Sequence, residues 1–261
     1  MADTINELTL KLANFLLHEN ERINSVSISG YITYLTLLLL NIGLQGQAKY
    51  DLSVLLNCNY SYIQYSLIKN VFEFDCIHSF KMDEFMKVGN VKSAIFHSNH
   101  HMETFQAIAM ETYNFELIEV DPRNNDLQKF IINYWGQTLK HVPFHDILFE
   151  PYTTDLQLLI INEYFISFKW KLPANPRYTN ILEFTDISFI TTQVKMMRMV
   201  DHYRFYNDQE LQALIAFIEL EEKNTYAVVV LPYLNNNIQS VLKGMEVGVF
   251  NNLEPYNTIL V

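Results

Sequence analysis

The sequence predicts an α+β fold built as a single domain over residues 1–261. Three observations carry that reading. Helical spacings come first along the chain and strand-like segments follow, the order expected when helices and sheet are segregated. Residues 156–170 are almost wholly apolar and contain neither Gly nor Pro, which suits a strand covered on both faces. Upstream of it, Leu127, Phe130, Ile131, Tyr134 and Thr138 recur at helical spacing on one face. A helix capped by Asn125 or Asp126 and closed before Pro143 is therefore expected to lie across a buried central strand.

Thr4 and Glu7 form a capping-box pair, with Ile5, Leu8, Leu12, Phe15 and Leu16 on one face. This predicts a first helix that stops near Asn20. A short extended piece over 26–29 leads into a helix over 31–40, apolar nearly all round and so buried. Gly43 is its C-terminal cap, and a brief third helix follows over 51–56. Residues 57–86 mix polar and aromatic side chains without a firm period. A strand is expected over 88–96, a helix over 102–113, and a strand over 115–120 that ends at Asp121-Pro122. After Trp170 come strand-like segments over 187–192, 203–206, 214–220 and 226–232. The last two read as a meander joined by the charged turn Glu221-Glu222-Lys223-Asn224. A weak helix over 238–242 precedes Asn-, Gly- and Pro-rich turns running to Val261. No internal repeat, low-complexity tract or linker interrupts the chain.

Composition bounds the function. Hydrophobic residues at 49% fill a substantial core, and charged residues at 18% are too few for a disordered chain. A formal net charge of -11 without a basic cluster argues against nucleic acid, whose phosphates need Lys and Arg. Cys58 and Cys76 need not pair, and so few cysteines fit a reducing compartment or a fold without staples. Residues 1–7 lack a positive region followed by an apolar stretch, and residues 31–42 are too short to span a bilayer. A soluble protein in the cytoplasm, with no membrane contact, is the expectation. Abundant Asn, Tyr, Ile and Phe point to an A/T-rich genome.

Candidate chemistry is sparse, and the expectation is that the protein is not an enzyme and carries no cofactor. His97, His100 and His101 are the densest histidine group, but only Glu103 is near to complete a metal site, so a solvated loop at a strand end is the reading. His141 and His145 flank Pro143 in a turn and are read as surface residues. No Gly-x-Ser-x-Gly, Gly-x-Gly-x-x-Gly or Walker-type loop is present. Glu219, Glu221 and Glu222 sit beside Lys223 in a turn and are read as solvated. Met196 and Met197 are expected in the core, as are Trp135 and Trp170.

The order of motifs resembles a serpin over residues 8–242. Ser29 before a buried helix ending in Gly43-Leu-Gln-Gly46 is similar to the Ser-Pro that opens a serpin helix and the Gly-Ala-x-Gly that ends it. Val88-Gly-Asn-Val-Lys-Ser-Ala-Ile-Phe96 resembles the next strand of the main sheet. Asn133-Tyr-Trp135, Thr138 and Asp146-Ile-Leu148 resemble the helix Ile-Asn-x-Trp-Val-x-x-x-Thr and its Asp-Leu-Leu sequel. Residues 158–170, with Phe165 and Trp170, resemble the strand Leu-Val-Asn-Ala-x-x-Phe-x-Gly-x-Trp. Val194-Lys-Met196-Met197 and residues 228–232, ending at Pro232, match later segments. The resemblance implies N-terminal helices packed on a large mixed or antiparallel sheet, a second smaller sheet, and C-terminal elements missing beyond a divergent tail at 243–261.

Departures from the family pattern shape the functional expectation. Inhibitory serpins offer a loop near the C-terminus to a protease, and the cleaved loop inserts as a strand into the main sheet. Residues 243–261 show neither a small-residue hinge nor an apolar strand pair to follow it. Among the polar residues that the resemblance places where the sheet opens, Ser29 and Asn162 are kept, and Ile32 stands in place of a second serine. Gly30 replaces a proline, Glu163 replaces a small alanine, and Ala48 stands where a capping Thr is expected, a loss of about 1 kcal/mol. The expectation is a non-inhibitory, serpin-like binding protein of poxvirus type. It would modulate host defence (apoptosis or inflammation) by contacting an unidentified host protein, either a protease or a defence factor. The alternative is a working inhibitor of a serine or cysteine protease, with residues 255–261 or some rearranged loop near the C-terminus as bait. Bare sheet edges would also permit a homodimer.

Overall fold

The computed structural model describes residues 2–19, 26–78, 82–98, 103–137, 146–151, 155–186, 190–200, 202–245 and 258–260. Helices dominate early: α1 (Ala2–Glu19), α2 (Gly30–Gly43), α3 (Gly46–Leu55), α4 (Ser66–His78) and α5 (Met82–Met86). Strand β1 (Gly89–His97), helix α6 (Glu103–Glu111), strand β2 (Glu116–Glu119), helix α7 (Asn125–Gly136) and strand β3 (Leu158–Ile166) come next. A 3-10 turn (Pro176–Tyr178) precedes β4 (Asn180–Thr185), β5 (Thr191–Met196), β6 (His202–Asp208), β7 (Ala213–Glu219) and β8 (Tyr226–Pro232). Helix α8 (Ile238–Gly244) and strand β9 (Thr258–Leu260) complete the order. The predicted α+β class holds. The described contacts divide into two compact units, residues 29–167 and residues 2–28 with 168–261.

In the first unit a three-stranded mixed sheet runs β2-β1-β3, with β2 parallel and β3 antiparallel to β1. The central buried strand is β1, which sinks from Ser93 through His97. This corrects the sequence reading: β3 is apolar on both faces, yet among the described residues it lies at an edge and only Glu163 in it is buried. Strand parity sends alternate residues to opposite faces. Ala94 and Phe96, with their partners Ile161 and Leu159, pack against Ile132 and Trp135 of α7. The other face carries Ser93, Ile95 and His97 towards α2 and α6. Helix α2 buries Ile32, Tyr34, Leu35, Leu38 and Leu39, as an all-apolar helix must.

Helix α7 forms where expected but turns its other side inward. Leu127, Phe130 and Tyr134 are exposed, and Gln128, Ile132, Asn133, Trp135 and Gly136 are buried. Phe130 and Tyr134 stack on one another 6.2 Å apart on the outer side. The cap is Asn124, whose side chain accepts from Leu127 N–H, rather than Asn125 or Asp126. Thr138, assigned to the same face, lies outside the described residues, as do His100, His101, His141 and His145. Residues 57–86, without a firm period in the sequence, contain α4 and α5. Leu67, Ile68, Val71, Phe72 and Phe74 of α4 are exposed and only its Cys76 is buried, so no burial stripe marks the helix. Cys58 and Cys76 are joined in a disulfide.

The second unit holds an antiparallel hairpin of β4 and β5 and a four-stranded antiparallel sheet in the order β8-β7-β6-β9. The β7–β8 meander turns through Asn224 at φ 62°, a left-handed position that Asn tolerates. Ala213, Ile215, Leu211 and Val241 of α8 form its core. Met196 is half-buried, but Met197 is 61% exposed, so it is not a core residue as its spacing suggested. Pro232 ends β8 opposite Ala213, and Trp170 makes a lone antiparallel bridge to Leu220. Strand β9 was not expected in the turn-rich tail. It pairs antiparallel with the start of β6.

Candidate functional site

Two groups of polar side chains meet on the β1–β3 ladder, one on each face of the sheet. On the α2 side, Ser93 and Asn162 are directly opposed in register. Ser93 Oγ donates to Asn162 Oδ1 at 2.7 Å, and Asn162 Nδ2 donates to Thr36 Oγ1 at 2.9 Å. The Thr36 hydroxyl donates in turn to the carbonyl of Ile32 at 2.9 Å. The chain of bonds thus crosses from β1 through β3 to α2, with each polar group satisfied in a half-buried place. Ile32 contributes only its carbonyl, and its side chain is core. Ser29 does not join the network. It caps α2, its Oγ accepting from Ile32 N–H at 3.3 Å.

Of the residues assigned to sheet opening, the structure brings together Ile32 and Asn162 and leaves Ser29 one turn away. Ser93 and Thr36 were missed. Both could be found once the ladder register is known, because Ser93 faces Asn162 and Thr36 stands one helical turn beyond Ile32.

On the α7 side, Glu163 is 7% exposed and its Oε2 has no hydrogen-bond partner. A Cβ at Gly136 would stand 3.0 Å from Glu163 Oε1 and 2.6 Å from Ile147 Cδ1, so the helix end closes tightly over the carboxyl and a larger residue would have to displace these side chains. Burial pushes the Glu163 carboxyl up to about 7, against a smaller opposing pull from the Lys92 charge across the ladder. Lys92 Nζ donates to the Trp135 carbonyl at 3.3 Å, lies 4.5 Å from the Trp135 ring centroid and 3.7 Å from Glu116 Oε1. Trp135 Nε1 donates to Glu116 Oε2 at 3.1 Å, and its ring meets Phe96 edge-on at 5.8 Å.

The remaining markers are structural. Asn133 ties α7 to the chain at 147–148, accepting from Ile147 and Leu148 N–H at 3.0 and 2.8 Å and donating to the Leu148 carbonyl at 2.9 Å. Phe165 brings its carbonyl so near β1 that a Cβ at Gly89 would stand 2.2 Å from it. His97 is buried at the end of β1 instead of lying in a solvated loop. Among the described residues, no three His, Cys, Asp or Glu side chains converge to hold a metal, and no helix is long and apolar enough to cross a membrane. Neutral hydroxyls and amides on one face and a protonatable carboxyl on the other can hold strands in place. They offer no nucleophile paired with a base.

The family described as Serpin (serine protease inhibitor) matches residues 3–257. No curated protein sequence matches the chain. Among solved structures, thyroxine-binding globulin complexed with thyroxine-fluoresein is 20% identical and aligns over 96% of this chain and 74% of its own, with a TM-score of 0.73. The reactive-loop-cleaved form of the human globulin has the same identity and coverage and a TM-score of 0.72. The thyroxine complex gives a TM-score of 0.74 at 20% identity, over 96% of this chain and 68% of its own.

Proposed function

The chain belongs to the serpin family, and from that premise we propose that it is a non-inhibitory member that works by binding another protein. The observation that carries this reading is Glu163. A strand inserted beside β3 would have to pack along a segment whose centre buries a carboxyl group with an unpartnered oxygen. Such a group costs free energy wherever water is excluded. The Ser93–Asn162–Thr36 network adds to this by binding β1, β3 and α2 together. Both features favour a sheet that stays as it is over one that gains energy by opening.

The partner in this proposal is a host protein, a protease or a factor in apoptosis or inflammation, met by a viral modulator. That part is supported only by the A/T-rich composition and by the poxvirus-type resemblance of the sequence. Association of two copies through bare strand edges belongs to the same proposal. The test is to mix the full chain with a panel of serine and cysteine proteases. No SDS-stable adduct should form, and limited proteolysis should leave the melting temperature where it was. A covalent adduct, or a large rise in melting temperature after nicking, establishes the rival reading of a working inhibitor.

A further inference from the structure

The disulfide between Cys58 and Cys76 joins two ends that the first unit holds very differently. Cys58 is fixed on the body: its N–H donates to the Ser53 carbonyl at 2.8 Å. Tyr34 Oη, from buried Tyr34 on α2, donates to the neighbouring Leu56 carbonyl at 2.8 Å and lies 3.7 Å from Cys58 Sγ. Cys76 stands near the end of α4 and is the only buried residue of that helix. Between the two cysteines, residues 59–75 contain no buried side chain. Tyr60 and Phe72 stack 5.3 Å apart, but both belong to the loop, so this contact ties the loop to itself. Tyr113 Oη donates to the Ile77 carbonyl at 2.8 Å, one residue beyond the loop, and so holds the last turn.

We infer that the Cys58–Cys76 bridge is a redox latch that keeps α4 folded on the first unit and releases residues 59–75 when a dithiol opens it. A 13-residue helix that buries one side chain is marginal by itself. The bridge removes much of its freedom by closing a loop whose ends are 18 residues apart, with Cα atoms 6.1 Å apart, inside the span that a disulfide bridges. Both cysteines are buried while the latch is closed, yet a helix with so little burial frays readily and brings the sulfurs to solvent. One thiolate of the dithiol then attacks a bridge sulfur, forming a mixed disulfide and expelling the other cysteine. The second thiolate of the reductant attacks that mixed disulfide, closes the reductant's own disulfide and expels the remaining cysteine. Two electrons pass to the protein, and each expelled thiolate takes a proton that the reductant gave up. Helix α2 and strand β1 lie outside the loop and stay in place. The state of α4 thus follows whether the surroundings are reducing or oxidising. This latch does not rest on the protein-binding role proposed above.

The full chain, purified under oxidising conditions, is compared with and without dithiothreitol by thiol labelling and amide exchange. Labelling should find no free thiol before reduction and both cysteines free after it. Amides over 66–76 should then exchange at least about tenfold faster, while those of α2 and β1 keep their rates. Oxidised glutathione should restore the slower exchange. The double variant Cys58→Ser with Cys76→Ser should exchange like the reduced parent whether or not dithiothreitol is present. If that variant fails to fold, the parent's own cycle of reduction and reoxidation decides. Free thiols in the oxidised chain, a bridge that dithiothreitol does not open, or a rise in α4 exchange below tenfold after full reduction overturns the inference. So does a loss of protection that spreads to α2 and β1, which would make the bridge a staple of the whole unit.

Discussion

Glu163 makes stability depend on pH in a direction opposite to that of most carboxylates. Its folded-state carboxyl is raised from the usual 4.5 to about 7, so the native chain holds this proton more tightly than the unfolded chain does. The contribution is complete below about pH 4.5 and is lost as pH rises through about 7. Glu163→Gln is expected to flatten that slope and to exceed the parent by about 1–2 kcal/mol above pH 7, a rise of several degrees in melts recorded near pH 5 and pH 8. Equal pH slopes in the parent and the variant would contradict the assignment. Gly89 is constrained by backbone instead of charge. With a Cβ only 2.2 Å from the Phe165 carbonyl oxygen, Gly89→Ala must push β1 from β3 and cost about 2 kcal/mol or more, read by denaturant unfolding.

At the scale of elements, Asn133 shows how one side chain can fasten a helix to a stretch of chain eleven to twelve residues past the helix end. Asn133→Ala leaves two N–H groups and a carbonyl at 147–148 without partners, at a cost of about 2–3 kcal/mol. Amide exchange at Ile147 and Leu148 should speed up while that of β1 does not. Elements with strong periodicity were legible in the sequence: α1, α2, β1 and β8 fall within a few residues of expectation. Helix α7 was legible as a helix but not in its orientation, because Leu127, Phe130 and Tyr134 form an apolar stripe that faces outward and Gln128 and Asn133 are buried through hydrogen bonds. Helix α4 hid because its residues follow no firm period and nearly all its apolar side chains face outward. The place of β3 could not be read from apolarity, which reports what a strand could bury and not how many neighbours it has. The polar network was half legible, since Asn162 could be named from resemblance but its partners depend on a register that only pairing reveals.

At the scale of the molecule, the two compact units leave strand edges without a strand partner among the described residues: the outer edges of β2 and β3, those of β8 and β9, and both sides of the β4–β5 hairpin. Long apolar edges are templates for another chain. Light scattering across a concentration series is expected to show a concentration-dependent dimer, and a strict monomer throughout would remove self-association from the proposal. The adjacency of Asn162 and Glu163 has a further effect on β3. Leu158, Leu159, Ile160 and Ile161 would suit either face of the sheet, so this half of the strand could slide by one position with little penalty. Sliding would break the Ser93–Asn162–Thr36 chain of hydrogen bonds and strand the amide beneath α7. The neighbouring pair therefore works as a key cut for a single alignment, and an otherwise indifferent strand takes its position from two residues that cannot exchange sides.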